Sequence, residues 1–524
     1  MAITISVPIV ATLLAVTEPQ GPIWEHLQKT VLSEYVLNSV TLMALTGGLS
    51  LVIGVSTGWL IGACVFKGRE TMGWLLMLPL ASPAYIVAYV YTDLLEVSGP
   101  VLTALRSLLS LDAGELPLPS IRTLPSAAVM LSLVLYPYIY LLSRNSFAGR
   151  SGAQFDAARV LGRGPYNAFF QVALPASRPA IMGGLALVLM ETLADFGVVS
   201  YFSVATFSTG IFRTWLGLGD SSAALKLASL MLLFVIMLVV FEEKNRRGTA
   251  DSSDLSQAPR IHLTGVKAWL AIAACLFPVI LGFLIPFATL VIYASDHIQQ
   301  SNSANFSRML VNSVALACAA SVAITFIAWL LANTKRVYPS ALNKSLIRVS
   351  TLGYALPGIL LAVALLKPLG AANDWLVDIW PNSRYAIFSG GIFLLLYAYV
   401  CRFLTVAYQS LESGFASISG DLDSAARTLG ATPLRLTWRV HLPLLKPSIL
   451  GACLLVFVDV MRELPATLIL RPFNFNTLAT HVYRLASDER LGEASLAAVL
   501  IVMVGVIPVV LLQRSGLSRA TPST

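Results

Sequence analysis

The chain has 524 residues, of which 56% are apolar and 12% charged, where a soluble domain carries roughly 25% charged residues. Single soluble cores stop growing near ~250–300 residues, so a cytosolic or extracellular globular enzyme is all but excluded and bilayer lipid is the fitting solvent. The net charge of +8 does not indicate nucleic acid, because the basic residues sit in short loops beside apolar runs.

A spanning helix needs ~20 mostly apolar residues. Residues 3–16 are apolar but short, and no basic segment precedes them. They read as a first span whose cytoplasmic part is trimmed or begins upstream of Met1, rather than as a signal peptide. Eleven stronger spans follow, at 39–66, 71–95, 124–143, 180–203, 222–241, 268–295, 312–333, 346–366, 385–408, 448–470 and 494–513. Cys64, Cys275, Cys318, Cys401 and Cys453 are isolated in or at the ends of these runs. They show no disulfide or zinc spacing and read as packing residues.

Basic residues mark alternate loops: Lys67 and Arg69; Arg144, Arg150, Arg159, Arg163 and Arg178; Lys244, Arg246, Arg247, Arg260 and Lys267; Lys335, Arg336 and Lys344; Arg427, Arg435, Arg439 and Lys446. These loops, and both termini, are expected on the cytoplasmic side.

The chain also repeats itself. Asn38-Ser39-Val40 matches Asn312-Ser313-Val314, and Pro83 matches Pro357, both at offset 274. Thr206-x-x-Thr209 with Arg213 matches Thr477-x-x-Thr480 with Arg484 at offset 271. Six spans per repeat is an even number, so both halves share one orientation. The expected fold class is an all-α polytopic membrane protein of about 12 transmembrane helices in two homologous, parallel six-helix halves. The first transmembrane domain is 1–242 and the second 266–524. The polar stretch 243–265 is expected to be a flexible cytoplasmic linker.

The loop between the fourth and fifth spans is the most informative segment. Asp156-Ala157-Ala158-Arg159-Val160-Leu161-Gly162 recurs at offset 268 as Ser424-Ala425-Ala426-Arg427-Thr428-Leu429-Gly430. Pro175 and Pro443 follow the two glycines at the same spacing. The pattern reads as helix–glycine–helix: the alanines allow close approach of a partner, and Gly162 and Gly430 supply a left-handed stop. Pro165 and Pro433 suit the first turn of a second short helix. Pro175 and Pro443 are expected to turn the chain into the next span.

These paired loops resemble the EAA loop of binding-protein-dependent ABC importer permeases, although the leading Glu is Asp156 in one copy and Ser424 in the other. The segments Leu193-Ala194-Asp195-Phe196-Gly197, Thr206–Trp215, Glu463–Thr467, Arg471-Pro472-Phe473 and Thr477–Thr480 resemble ferric-iron uptake permeases with two fused transmembrane domains. Thiamine and phosphonate permeases share that architecture. The resemblance implies a type I importer fold in the bacterial inner membrane and import of ferric iron from a periplasmic binding protein. It also implies coupling through Asp156, Ala157, Ala158, Gly162, Pro175, Ser424, Ala425, Ala426, Gly430 and Pro443 to a cytoplasmic ATPase dimer. No GxxxxGK[ST] loop exists in this chain, so it is read as a permease, not an enzyme. It binds no cofactor of its own and leaves ATP to the partner. Its five histidines are scattered, and no metal site is assigned. A secondary transporter and a membrane scaffold are the readings of other classes.

Ionisable groups at membrane depth are costly and usually functional. Glu191 and Asp195 lie in the fifth span; Asp459, Arg462 and Glu463 lie in the eleventh. The i, i+4 spacing would put both carboxylates of each span on one helix face. One reading is the acidic stretch of a cation pathway; the other is structural, with Arg462 pinning helix packing through a carboxylate. Lys226 reads as a snorkelling residue at a span end.

Overall fold

The structure, a computed structural model, describes residues 2–19, 21–110, 120–246, 261–297, 304–351, 353, 356–379 and 391–517. It is helical apart from a two-residue parallel ladder, Cys64–Val65 against Ile261–His262. Among the described residues nine helices are long and apolar enough to cross a membrane, or up to eleven if each of two bent pairs is one span. Each of the eleven stronger spans has a helical counterpart, with 352, 354 and 355 of the span 346–366 and 385–390 of the span 385–408 outside the described residues. The stretch 3–16 is the helix Ala2–Leu14, with a final turn to Thr17, and is shorter than a span.

Four runs expected as single helices are broken. Residues 71–95 bend by 88° between Ala81 and Ala84. The ring of Pro83 forces Ser82 into the extended region, at ψ 124°. Residues 346–366 divide into Ala341–Ser350 and Gly358–Ile379, with Pro357 again at the restart. Residues 180–203 break after Ala194, and 448–470 break between Met461 and Pro465.

Both ends of the expected linker are ordered. Helix Ser221–Arg246 runs into it from one side. At the other side Ile261–His262 docks on the end of helix Leu32–Ala63, where Leu263 N–H donates to Val65 O at 2.9 Å. The intervening 247–260 lie outside the described residues.

Packing divides the chain differently from its repeat. One compact unit comprises 1–24, 211–232 and 302–483; the other comprises 25–210, 233–301 and 484–524. In the first unit, helix Ala2–Leu14 lies on Gly358–Ile379. Glu18, just beyond that helix, pairs with Lys367 and accepts from Ser222 Oγ at 2.8 Å. Lys226 does not snorkel. It is buried, with Nζ 3.0 Å from Glu18 O and 2.8 Å from Pro19 O and held over the Trp24 ring, because carbonyls past a helix end need donors. In the second unit, Ile285–Asp296 lies on Ala84–Leu95. Tyr293 donates to Asp93 Oδ2 at 2.6 Å. Asp93 and Lys367 are equivalent positions at offset 274, so each unit straps a helix at the same place with different chemistry.

The two sequence markers of the repeat meet within each unit. Asn38 Nδ2 donates to Ala205 O at 2.9 Å, and Ser39 Oγ accepts from Phe207 N–H at 3.2 Å. Asn312 Nδ2 donates to Asn476 O at 3.3 Å, and Ser313 Oγ accepts from Leu478 N–H at 2.7 Å. The Asn-Ser pair thus closes the turn that carries the Thr-x-x-Thr motif.

Helices Leu32–Ala63 and Arg178–Ala194 both pack on Leu124–Ala148 at Ile139. A Cβ at Gly54 would lie 2.7 Å from Ile139 Cβ, and one at Gly184 2.7 Å from Ile139 Cα. Gly54→Val or Gly184→Val should therefore lower the amount of folded protein in membranes several-fold. Gly48→Val, where nothing lies within 4 Å, should leave it unchanged; quantitative immunoblotting of membranes measures this, and equal levels in all three would refute the close packing.

Candidate functional site

The paired loops fold alike. Helices Arg150–Val160 and Gly420–Thr428 each stop at a left-handed glycine, Gly162 at φ +86° and Gly430 at φ +78°. Arg163 N–H donates to Ala158 O and Ala431 N–H to Ala426 O, both at 3.0 Å. This six-to-one closure pairs carbonyls that would otherwise be orphaned at a helix end. Pro165 and Pro433 open the next short helices, Pro165–Ala168 and Pro433–Leu436. A single wide turn then leads onward in each copy, Phe169–Ala173 and Thr437–His441, with i→i+5 geometry.

The role expected of the two later prolines is corrected. Pro443 is the second residue of the continuous helix Leu442–Met461 and turns nothing. Pro175 lies in Leu174–Ala176, and the 65° bend falls after it, at Ser177. A missing N–H is tolerated at the first positions of a helix.

The sequence spacing hid what these loops present outward. Leu161 is 84% and Leu429 89% exposed, each next to its glycine. Tyr166 and Phe170 in one copy, and Leu434 and Trp438 in the other, are also exposed. These are the same positions at offset 268. Ala157 and Ala425 are exposed beside them, while Ala158 is buried. Desolvation raises the Asp156 carboxyl above its ordinary value, with Arg159 opposing it. Asp156 Oδ2 is buried with no hydrogen-bond partner among the described residues. Ser424 is exposed, and its hydroxyl donates to Gly420 O at 3.2 Å.

The membrane charges are not arranged as pairs on one helix face. Asp195 is extended, at ψ 134°, past the end of Arg178–Ala194. Its Oδ1 accepts from Val198 N–H at 3.0 Å and Val199 N–H at 3.2 Å, capping helix Gly197–Tyr201. Glu463, its repeat equivalent, accepts from Ala466 N–H at 3.1 Å at the start of Pro465–Leu470. Both acids therefore satisfy backbone donors at a helix break. Glu463 is also paired with Arg402 at 3.2 Å, with both side chains largely buried. Asp459 pairs with Arg462 one turn along. Arg402, a cation inside the span 385–408, was missed by the sequence reading although its position in an apolar run was signal enough. Its equivalent at offset 268 is Val134, so Asp195 has no such partner from that position. Glu191 is half-buried one turn before Asp195.

Residues 324–521 match the family described as binding-protein-dependent transport system inner membrane component. The chain is 24% identical over 499 residues to the Fe(3+)-transport system permease protein FbpB 2 of Haemophilus influenzae, covering 94% of this chain and 91% of that one. It is 23% identical to the putative ferric transport system permease protein FbpB 1 of the same organism, covering 88% and 73%. The molybdenum transport system permease protein ModB of Escherichia coli is 28% identical over 167 residues, covering 32% and 70%.

Glu463→Gln and Asp195→Asn should separate the two caps. Either amide still accepts a backbone N–H, so the capping loss stays within the ~0.5–2 kcal/mol of an N-cap change. Glu463→Gln also leaves Arg402 buried without its anion, which costs about 3–5 kcal/mol. Glu463→Gln should therefore lower thermal stability in detergent far more than Asp195→Asn, and adding Arg402→Met should recover most of the loss. Equal destabilisation by the two amides would count against this assignment.

Proposed function

We propose that this chain, a multi-pass ABC importer permease of the binding-protein-dependent type, moves ferric iron from a periplasmic binding protein to the cytoplasm, driven by a separate ATPase. The observation that carries the coupling assignment is the doubled outward face, Leu161 and Leu429 exposed at two glycine-stopped loops of one geometry. Two equivalent apolar faces suit two equivalent clefts, as a dimeric ATPase would offer. Similarity to ferric-transport permeases over nearly the whole chain supports the substrate. Similarity to the molybdenum permease covers only about a third of the chain.

In this reading the basic alternate loops and both termini are cytoplasmic. The loaded binding protein docks on the opposite side. ATP closes the ATPase dimer, which pulls the two loops and switches access across the bilayer. Glu191, Asp195 and Asp459, all partly exposed, line the path for a hard, oxygen-preferring cation, and Arg462 offsets Asp459. Glu463 is instead a structural anchor for Arg402.

Burying a leucine is worth roughly 1.5–3 kcal/mol, and each ~1.4 kcal/mol is tenfold in affinity. Leu161→Glu with Leu429→Glu should abolish co-purification of the ATPase and uptake of radiolabelled ferric iron, with membrane level unchanged. Retained co-purification would remove the coupling assignment. Uptake of thiamine, a phosphonate or molybdate in place of iron by the unaltered complex would replace the substrate. Iron uptake driven by membrane potential without ATP would replace the mechanism with a secondary transporter.

A further inference from the structure

The loops present like faces outward but are held from within by unlike chemistry. In the first copy Phe155 is buried, and its ring centroid lies 5.1 Å from that of Trp59. Trp59 also meets Phe147 at 5.1 Å and Phe169 at 4.6 Å. The quartet joins the loop helix to Leu32–Ala63, Leu124–Ala148 and the wide turn Phe169–Ala173. The equivalent positions in the second copy are Asp423, Asn333, Phe415 and Thr437.

There the link is polar. Asp423 Oδ2 accepts from Arg336 Nε at 2.7 Å, and its Oδ1 accepts from His441 Nε2 at 2.9 Å. Arg336 Nη2 also donates to Ile418 O at 3.0 Å. His441 is fully buried, with its ring edge-on to Phe415 at 5.3 Å and its Nδ1 3.4 Å from Asn333 Oδ1. Thr437 Oγ1 donates to Asn333 Oδ1 at 3.2 Å. Burial opposes the Asp423 charge, but the hydrogen bonds from Arg336 and His441 hold its carboxyl below its ordinary value.

We propose that Asp423 is a positioning residue that clamps the second coupling helix to the span Ala304–Val337 and to the root of the span Leu442–Met461, so that the two coupling arms are mechanically unlike. This rests on the assignment of Gly420–Thr428 as a coupling helix. Charge-assisted bonds are directional and fix the pitch of the helix, whereas an aromatic cluster tolerates small shifts. Losing the Asp423 charge therefore loosens the second arm alone.

The test uses the full permease–ATPase complex in proteoliposomes, with spin labels on Thr428→Cys or its equivalent Val160→Cys in a cysteine-free background. Asp423→Asn should give a several-fold fall in iron moved per ATP hydrolysed, with the ATPase still bound. Label mobility should rise at 428 and stay unchanged at 160, and Asp423→Glu should restore much of the ratio. A general packing defect would loosen both labels. If Asp423→Asn does not accumulate, His441→Gln and Thr437→Val weaken the same network without stranding Arg336 and should give the same pattern. Normal coupling with an unchanged label at 428 overturns the proposal. The coupling assignment itself fails only if Leu161→Glu with Leu429→Glu leaves the ATPase bound, so the two failures are distinguishable.

Discussion

Everything in this fold answers to one constraint: in hydrocarbon, backbone N–H and C=O groups must be satisfied by the protein itself. A continuous helix meets that demand internally, but this chain breaks helices repeatedly in its apolar segments. Each break exposes donors at a new helix start, and the acids at 195 and 463 meet them. The breaks also come together. A Cβ at Gly197 would strike Tyr85, beside the Pro83 break. In the other unit a Cβ at Gly358, just after Pro357, would lie 2.7 Å from Glu463 Oε1 and 2.0 Å from Arg402 Nη1. Proline sets one break of each pair, and a carboxylate caps the other.

The same demand explains why packing ignores the repeat. A short apolar helix such as Ala2–Leu14 cannot satisfy the groups beyond its end by itself. Glu18 and the carbonyls of Glu18 and Pro19 draw on Ser222, Lys226 and Lys367. Lys367 belongs to the second sequence half, whereas Ser222 and Lys226 belong to the first, so the first half does not contain all the partners at the end of its own first helix. A repeat boundary records descent from duplication, whereas a packing boundary records where side chains find partners.

The length of the apolar runs made the spans legible, because apolar length is a direct response to bilayer thickness. The paired loops were legible for a local reason: a left-handed stop requires glycine whatever surrounds it. What stayed hidden was set by long-range partners. An i, i+4 spacing assumes an unbroken helix, and Asp195 lies past the end of one. Lys226 looks like a span-end cation until its carbonyl acceptors, about 200 residues away in sequence, are in view. Arg402 and Asp423 take their roles from partners 18 to 87 residues away in sequence, Glu463 for the one and His441 and Arg336 for the other.

Where the two copies differ is itself informative. At offset 268 the outward side chains beside the glycines remain apolar in both copies, Leu161 with Leu429, Tyr166 with Leu434 and Phe170 with Trp438. The inward ones have diverged from phenylalanine to aspartate and from phenylalanine to threonine. The constraint on the outer face therefore acts equally on both loops, as one repeated partner surface would act. The constraint inside requires only that each loop be gripped, by whatever chemistry its own unit provides. Two halves in one polypeptide can drift apart in this way, because each has a separate coding segment. A homodimer of half-length chains would have to build both grips from the same residues.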